Sequence, residues 1–165
     1  MLIPFNKPLQ FKNQFTNLLS LSSCFSGNGS FTLKSNLWLE NNINCKKALL
    51  THSCTAALEM SALLLEIKVG DEIIMPSYTF ISTANAFALR GGVPVFIDIR
   101  PDTLNIDEEQ IEDAITPKTK AIVVVHYAGV ACEMNTILDI ANKHNIPIIE
   151  DAAQGIITKY NGTPL

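Results

Sequence analysis

The sequence predicts an α/β protein built on a mostly parallel sheet with helices on both faces. Two patterns carry that expectation. From residue 72 onward, short apolar runs alternate with segments of helical spacing, the order that crossover units require. The strand candidates are also apolar nearly throughout, as strands buried on both faces must be.

Taken in order, "EIIMP" (72–76) is a short apolar run stopped by proline and reads as a buried strand. "STANAFALRGG" (82–92) is alanine-rich and ends on two glycines, a helix with its C-terminal stop. "VPVFIDI" (93–99) is a β-branched strand. In "NIDEEQIEDAI" (105–115), Ile106, Ile111, Ala114 and Ile115 share one side and the acids the other, which predicts an amphipathic surface helix. "KAIVVVHYAG" (120–129) is the most strand-like run. "EMNTILDIANKHN" (133–145) has Ile137, Ile140 and Ala141 at helical spacing and Lys143 and His144 in its last turn. "IPIIED" (146–151) is the next strand. Upstream, "THSCTAALEMSALLLEI" (51–67) is helical, "KSNLWLENNINCKKALL" reads as a helix followed by a strand, and "SGNGSFT" (26–32) is a turn-rich loop. "KYNGTPL" closes the chain on a turn signal.

Bulk properties narrow the function. At 165 residues one domain is the natural expectation. A net charge of −4 without a basic run argues against nucleic-acid or anionic-membrane partners. No apolar run approaches the roughly 20 residues of a spanning helix, and the N-terminus lacks the layout of a secretory signal. Cys24, Cys45, Cys54 and Cys132 form no CxxC pair and no zinc spacing with His52, His126 or His144. Scattered thiols of this kind suit a reducing compartment, so a cytoplasmic protein without a metal site is expected.

In open parallel sheets, ligands bind beyond the carboxyl ends of the strands, and four polar features fall there. Ser53 and Thr55 precede or open the helix of 51–67, where they serve either as N-caps or as part of an anion site. Tyr78 and Phe80 follow the strand of 72–76, positioned for core packing or for stacking on a planar ligand. His126 and Tyr127 end another strand, where the histidine has a structural or a catalytic role. Finally, the buried strand 146–151 ends on Glu150 and Asp151, with Gln154 just beyond. Asp151 either caps the following turn or faces a cation. The glycine-rich loops of dinucleotide and NTP folds are missing, as is the GxSxG elbow of the α/β hydrolases.

Read together, "IPFNKP", "SGNGSFT", "LLTHSCTAALEMSALLL", "GDEIIMPSYTFISTANAFALRGG", "PVFIDIRPDTLNID", "VHYAGVACEM" and "IEDAAQG" resemble the DegT/DnrJ/EryC1/StrS sugar-nucleotide aminotransferases. The resemblance covers essentially the whole chain. It implies the large domain of the aspartate-aminotransferase-like fold (fold type I), with pyridoxal 5'-phosphate (PLP) as cofactor. Residues 1–165 would be the incomplete PLP-binding large domain, with an N-terminal arm over about 1–35. Asp151 would then pair with the protonated ring nitrogen, keeping the ring electron-withdrawing. Gln154 would bond the ring 3-hydroxyl and Phe80 would stack on the ring face. Thr55, with the backbone of Cys54 and Ala56, would hold the phosphate. The implied reaction moves an amino group from glutamate to the 4-keto carbon of a TDP-4-keto-6-deoxyhexose, in a homodimer.

The sequence departs from this family in one respect. Relatives carry their Schiff-base lysine in a motif of the type SFHxxKN, beyond the position where this chain ends, and Lys159 in "TKYNGTPL" does not match it. The expectation is a chain lacking the C-terminal remainder and small domain, and inactive alone. Two alternatives stay open: a non-catalytic remnant that binds a phosphate-bearing ligand, and a related aminotransferase acting at C3 or C4 of a UDP- or TDP-sugar.

Overall fold

The computed structural model describes residues 29–165, which fall into two units divided after Leu50. The described part of the first unit is helix α1 (Ser30–Ile43), which ends on Asn44 in the left-handed conformation. The turn-rich reading of 26–32 thus gives way at Ser30 to a helix, and 26–28 lie outside the described residues. The strand expected after this helix is not formed. Its backbone is satisfied another way: Leu50 N–H donates to Asn36 Oδ1 at 3.2 Å and Ala48 N–H to Glu40 Oε1 at 3.1 Å. No strand of the described residues pairs with it, and side chains of α1 substitute.

The second unit begins with helix α2 (Cys54–Leu64) and continues with β1 (Glu72–Pro76), α3 (Ile81–Ala88), β2 (Val93–Ile97), β3 (Thr119–Val125), α4 (Met134–His144) and β4 (Ile148–Asp151). The four strands form one sheet in the order β2-β1-β3-β4, every pair parallel. The central strands β1 and β3 are buried on both faces, which is why they show no polar alternation, while edge strand β2 leaves Val93 and Phe96 exposed. Ile73, Met75, Ala121 and Val123 pack with Leu58 and Ala62 of α2 and Ala86 and Phe87 of α3. Ile74, Ile122 and Val124 pack on the other face with Met134, Ile137 and Ala141 of α4. Among the described residues, no helix is long and apolar enough to cross a membrane.

The helix expected over 105–115 is replaced by two short 3-10 turns, Glu108–Gln110 and Glu112–Ala114. The apolar stripe still works, since Ile106 and Ile111 are fully buried. The ends of the segment are committed elsewhere. Ile106 bridges to Ile99, Asp107 accepts from Glu109 N–H and Gln110 Nε2, and Pro117 disfavours helix at the residue before it. What remains between those anchors is too short and too acidic to propagate an α-helix. At the C-terminus the turn signal forms a hairpin, Lys159–Tyr160 against Thr163–Pro164, with positive φ at both Asn161 and Gly162. Asn-Gly suits such a turn.

The chain leaves β1 toward β2 on one side, while β3 lies on the other. That reversal opens a crevice at the carboxyl ends of the strands. The link from α3 into β2 turns at Gly91, with φ +85° and an added Cβ only 2.6 Å from Val69 Cγ2. Gly91→Ala should therefore destabilise the protein by about 1–3 kcal/mol, from backbone strain and overlap together. Urea unfolding measures this, and a variant as stable as wild type would contradict the packing described.

Candidate functional site

An open pocket of about 100 Å³ lies in that crevice, lined by Thr79, Phe80, Val125, His126, Tyr127, Asp151, Ala153 and Gln154. Three of the four strands contribute at their carboxyl ends. Thr79 and Phe80 follow β1, Val125 to Tyr127 end β3, and Asp151 terminates β4 in register with Val125.

Asp151 is 7% exposed. Its Oδ1 accepts from the Cys54 thiol at 3.4 Å and from Ala153 N–H at 3.2 Å, and its Oδ2 accepts from Thr83 Oγ1 at 3.0 Å. The bond from Ala153 shows that it also caps the following turn, so the two roles open from sequence are compatible. No lysine, arginine or histidine pairs with it among the described residues. A carboxylate has about four acceptor sites, so one remains for a ligand in the pocket that Asp151 lines. Three neutral donors offset only part of the cost of burying a charge.

Gln154 is oriented by the backbone. Ala128 N–H donates to its Oε1 at 2.7 Å, which leaves Nε2 without a partner among the described residues. Ala128 holds that position in the left-handed region, φ 52°. Phe80 is 74% exposed, an apolar ring left in water beside the pocket.

At the start of α2, Ser53 is the N-cap, its Oγ accepting from Ala56 N–H at 3.1 Å. Thr55 is therefore not the cap but sits within the first turn, where its Oγ1 donates to Ser82 Oγ at 2.9 Å. The N–H groups of Cys54 and Thr55 have no hydrogen-bond partner among the described residues. The Ala56 N–H would have to exchange its bond to Ser53 before meeting a ligand. Burial and the nearby Asp151 charge push the Cys54 thiol up to about 11, so at neutral pH it is a hydrogen-bond donor and not a nucleophile.

His126 is 1% exposed and fully engaged. Its Nδ1 accepts from Cys132 N–H at 3.2 Å, which assigns the proton to Nε2 and directs it to Glu150 Oε2 at 3.0 Å. This favours the structural role for the histidine. Tyr127 and Tyr78 share a hydroxyl–hydroxyl bond of 2.9 Å, which raises the Tyr127 pKa. Sequence reasoning missed Thr83 and the thiol of Cys54 as partners of Asp151, and Ala128 as the partner of Gln154.

The fold and pocket define a class: a parallel sheet with an anion-ready helix start and a buried carboxylate at the strand ends. The chain belongs to the DegT/DnrJ/EryC1/StrS aminotransferase family, whose model matches residues 12–165. It is 46% identical over 134 residues to the uncharacterized protein MJ1066 of Methanocaldococcus jannaschii, covering 81% of this chain and 35% of that protein. Among solved structures it is similar to NtdA of Bacillus subtilis with bound cofactor PMP, at 38% identity and TM-score 0.82, over 88% of this chain and 33% of that one. It is also similar to a GDP-4-keto-6-deoxymannose-3-dehydratase holding a trapped PLP-glutamate adduct, at 26% identity and TM-score 0.78, over 83% of this chain and 37% of that one. The chain thus spans about a third of the length of these relatives.

The link between Asp151 and Cys54 makes a checkable consequence. In Asp151→Asn the carboxylate charge beside the thiol is gone, so the Cys54 pKa falls from about 11 toward the ordinary cysteine range. Site-resolved mass spectrometry should then show several-fold faster iodoacetamide labelling of Cys54 at pH 8, with buried Cys132 unchanged. Equal rates in the two proteins would mean that the thiol does not face the carboxylate.

Proposed function

We propose that this chain is the cofactor-binding part of a PLP-dependent sugar-nucleotide aminotransferase. One observation carries the reading: Asp151, a buried carboxylate with no cation beside it among the described residues, ends β4 in the same pocket as Phe80 and Gln154. The residues fit PLP group by group. Asp151 would hold the proton on the ring nitrogen through its remaining acceptor site. Phe80 would cover one ring face, Gln154 Nε2 would donate to the 3-oxygen, and Thr55 with the N–H groups of Cys54 and Thr55 would receive the phosphate. PLP, when bound, supplies an electron-withdrawing ring that lets an amino acid lose its α-proton and exchange its amino group. The protein's share is to keep that ring protonated and fixed in orientation.

No lysine lines the pocket among the described residues, so this chain alone binds PLP without a covalent bond and does not turn over. By the resemblance, the lysine of the family's SFHxxKN-type motif would complete the site in the whole protein. The activity we assign to it is transfer from glutamate to the 4-keto carbon of a TDP-4-keto-6-deoxyhexose. Its product is of the kind made by the TDP-4-amino-4,6-dideoxygalactose transaminase of enterobacterial common antigen synthesis. "SCTAALEMSALLL" and "HYAGVACEM" support that choice by resemblance, and the glutamate and 4-keto-6-deoxy sugar named for the similar dehydratase agree with it. The same resemblance supports a homodimer for the whole protein, and the scattered thiols support a cytoplasmic location.

The whole protein incubated with PLP, glutamate and TDP-4-keto-6-deoxyglucose should yield a TDP-4-amino-4,6-dideoxyhexose by mass spectrometry. Amination at C3, or only of a UDP-sugar, would move the substrate assignment within the family; no amine transfer at all would refute the activity. Borohydride treatment of the isolated chain with PLP should leave no cofactor attached to lysine. Covalent trapping on this chain would show that it carries a functional lysine after all.

A further inference from the structure

The proposed reading leaves unexplained what holds the Asp151 carboxylate in one orientation. Thr83 is a fully buried polar side chain in α3, on an element distant in sequence from β4. Its hydroxyl donates to Asp151 Oδ2 at 3.0 Å and accepts from Thr79 Oγ1 at 2.8 Å. The directions follow from chemistry: an ionised carboxylate only accepts, so Thr83 gives it its single proton and takes one from Thr79. Thr79 immediately precedes Phe80 on the loop after β1. A two-hydroxyl chain therefore links the loop carrying the exposed aromatic ring to the buried carboxylate. Linked bonds of this kind polarise one another and fix a single rotamer.

We propose that Thr83 is a positioning residue that sets the Asp151 carboxylate toward the cofactor ring nitrogen, with Thr79 as its anchor. The thiol of Cys54 plays the lesser part on Oδ1, because a sulfur donor at 3.4 Å holds more weakly than a hydroxyl at 3.0 Å. The inference rests on the reading that Asp151 faces that nitrogen. A merely structural Thr83 would affect any ligand of the pocket equally. A Thr83 acting through Asp151 affects only ligands that own the ring nitrogen.

Two probes separate these cases: PLP and its 1-deaza analogue, in which carbon replaces the ring nitrogen. Dissociation constants are measured by fluorescence titration for wild type, Thr83→Val, Thr83→Ser and Asp151→Ala, with thermal melts confirming that each is folded. Wild type should prefer PLP. Thr83→Val should weaken PLP binding by about tenfold, the scale of a lost hydrogen bond to a charged group, and leave the analogue unchanged. Thr83→Ser should restore PLP binding to within about twofold, since it keeps the donor. Equal PLP affinity in Thr83→Val and wild type, or equal weakening of both probes, overturns the positioning role while Asp151→Ala still loses its preference for PLP. If wild type itself does not distinguish the probes, the Asp151 reading falls and takes the Thr83 inference with it.

Discussion

The second unit is organised around one unbalanced charge. Removing a carboxylate from water costs several kcal/mol after relaxation, and the protein gives Asp151 three neutral donors and no cation among the described residues. A domain selected only for stability has no use for such a group, because an apolar side chain of similar size at the end of β4 would pack without the penalty. A buried charge of this sort supports the proposed binding site, in which the ligand would bring the compensating charge. The donors around Asp151 hold the anion in place without neutralising it.

The fold supplies this arrangement from a distance. Sheet order places β3 and β4 side by side with Val125 opposite Asp151, so the segment after β3 meets the segment after β4. That meeting lets the Ala128 N–H turn the Gln154 amide so that its donor end is free. Helices α2 and α3 lie on one face of the sheet, and their first turns bring Cys54 and Thr83 to the same carboxylate. The close-packed apolar face below gives these polar contacts a rigid base. His126, engaged at both ring nitrogens, ties the end of β3 to Glu150 and to the backbone of Cys132.

Much of this was legible in the sequence, because parallel strands buried on both faces leave continuous apolar runs. Four of the five expected strands and the helices α1 to α4 follow from that signal. The two misses share a cause. The strand expected near residues 45–50 depends on a partner strand, and local pattern says nothing about partners. The helix expected over 105–115 has the right apolar spacing, but Asp107 and the Thr116–Pro117 step shorten it into 3-10 turns. In the candidate site, Asp151 and Gln154 stand out because an acid and an amide end an apolar run. Thr83 gave no such signal, since a threonine in an alanine-rich helix looks like any other. Its importance comes from a contact across 68 positions of chain that only the fold creates.

The central claim is that the Asp151 carboxylate keeps a bound PLP ring protonated. The direct measurement is the ¹⁵N NMR shift of ring-labelled PLP on the protein, followed as the pH rises past the point where the free cofactor loses its ring proton. A shift that stays in the pyridinium range is the expected result. A shift characteristic of the neutral pyridine would contradict the account, because Asp151 would then be buried for some other reason.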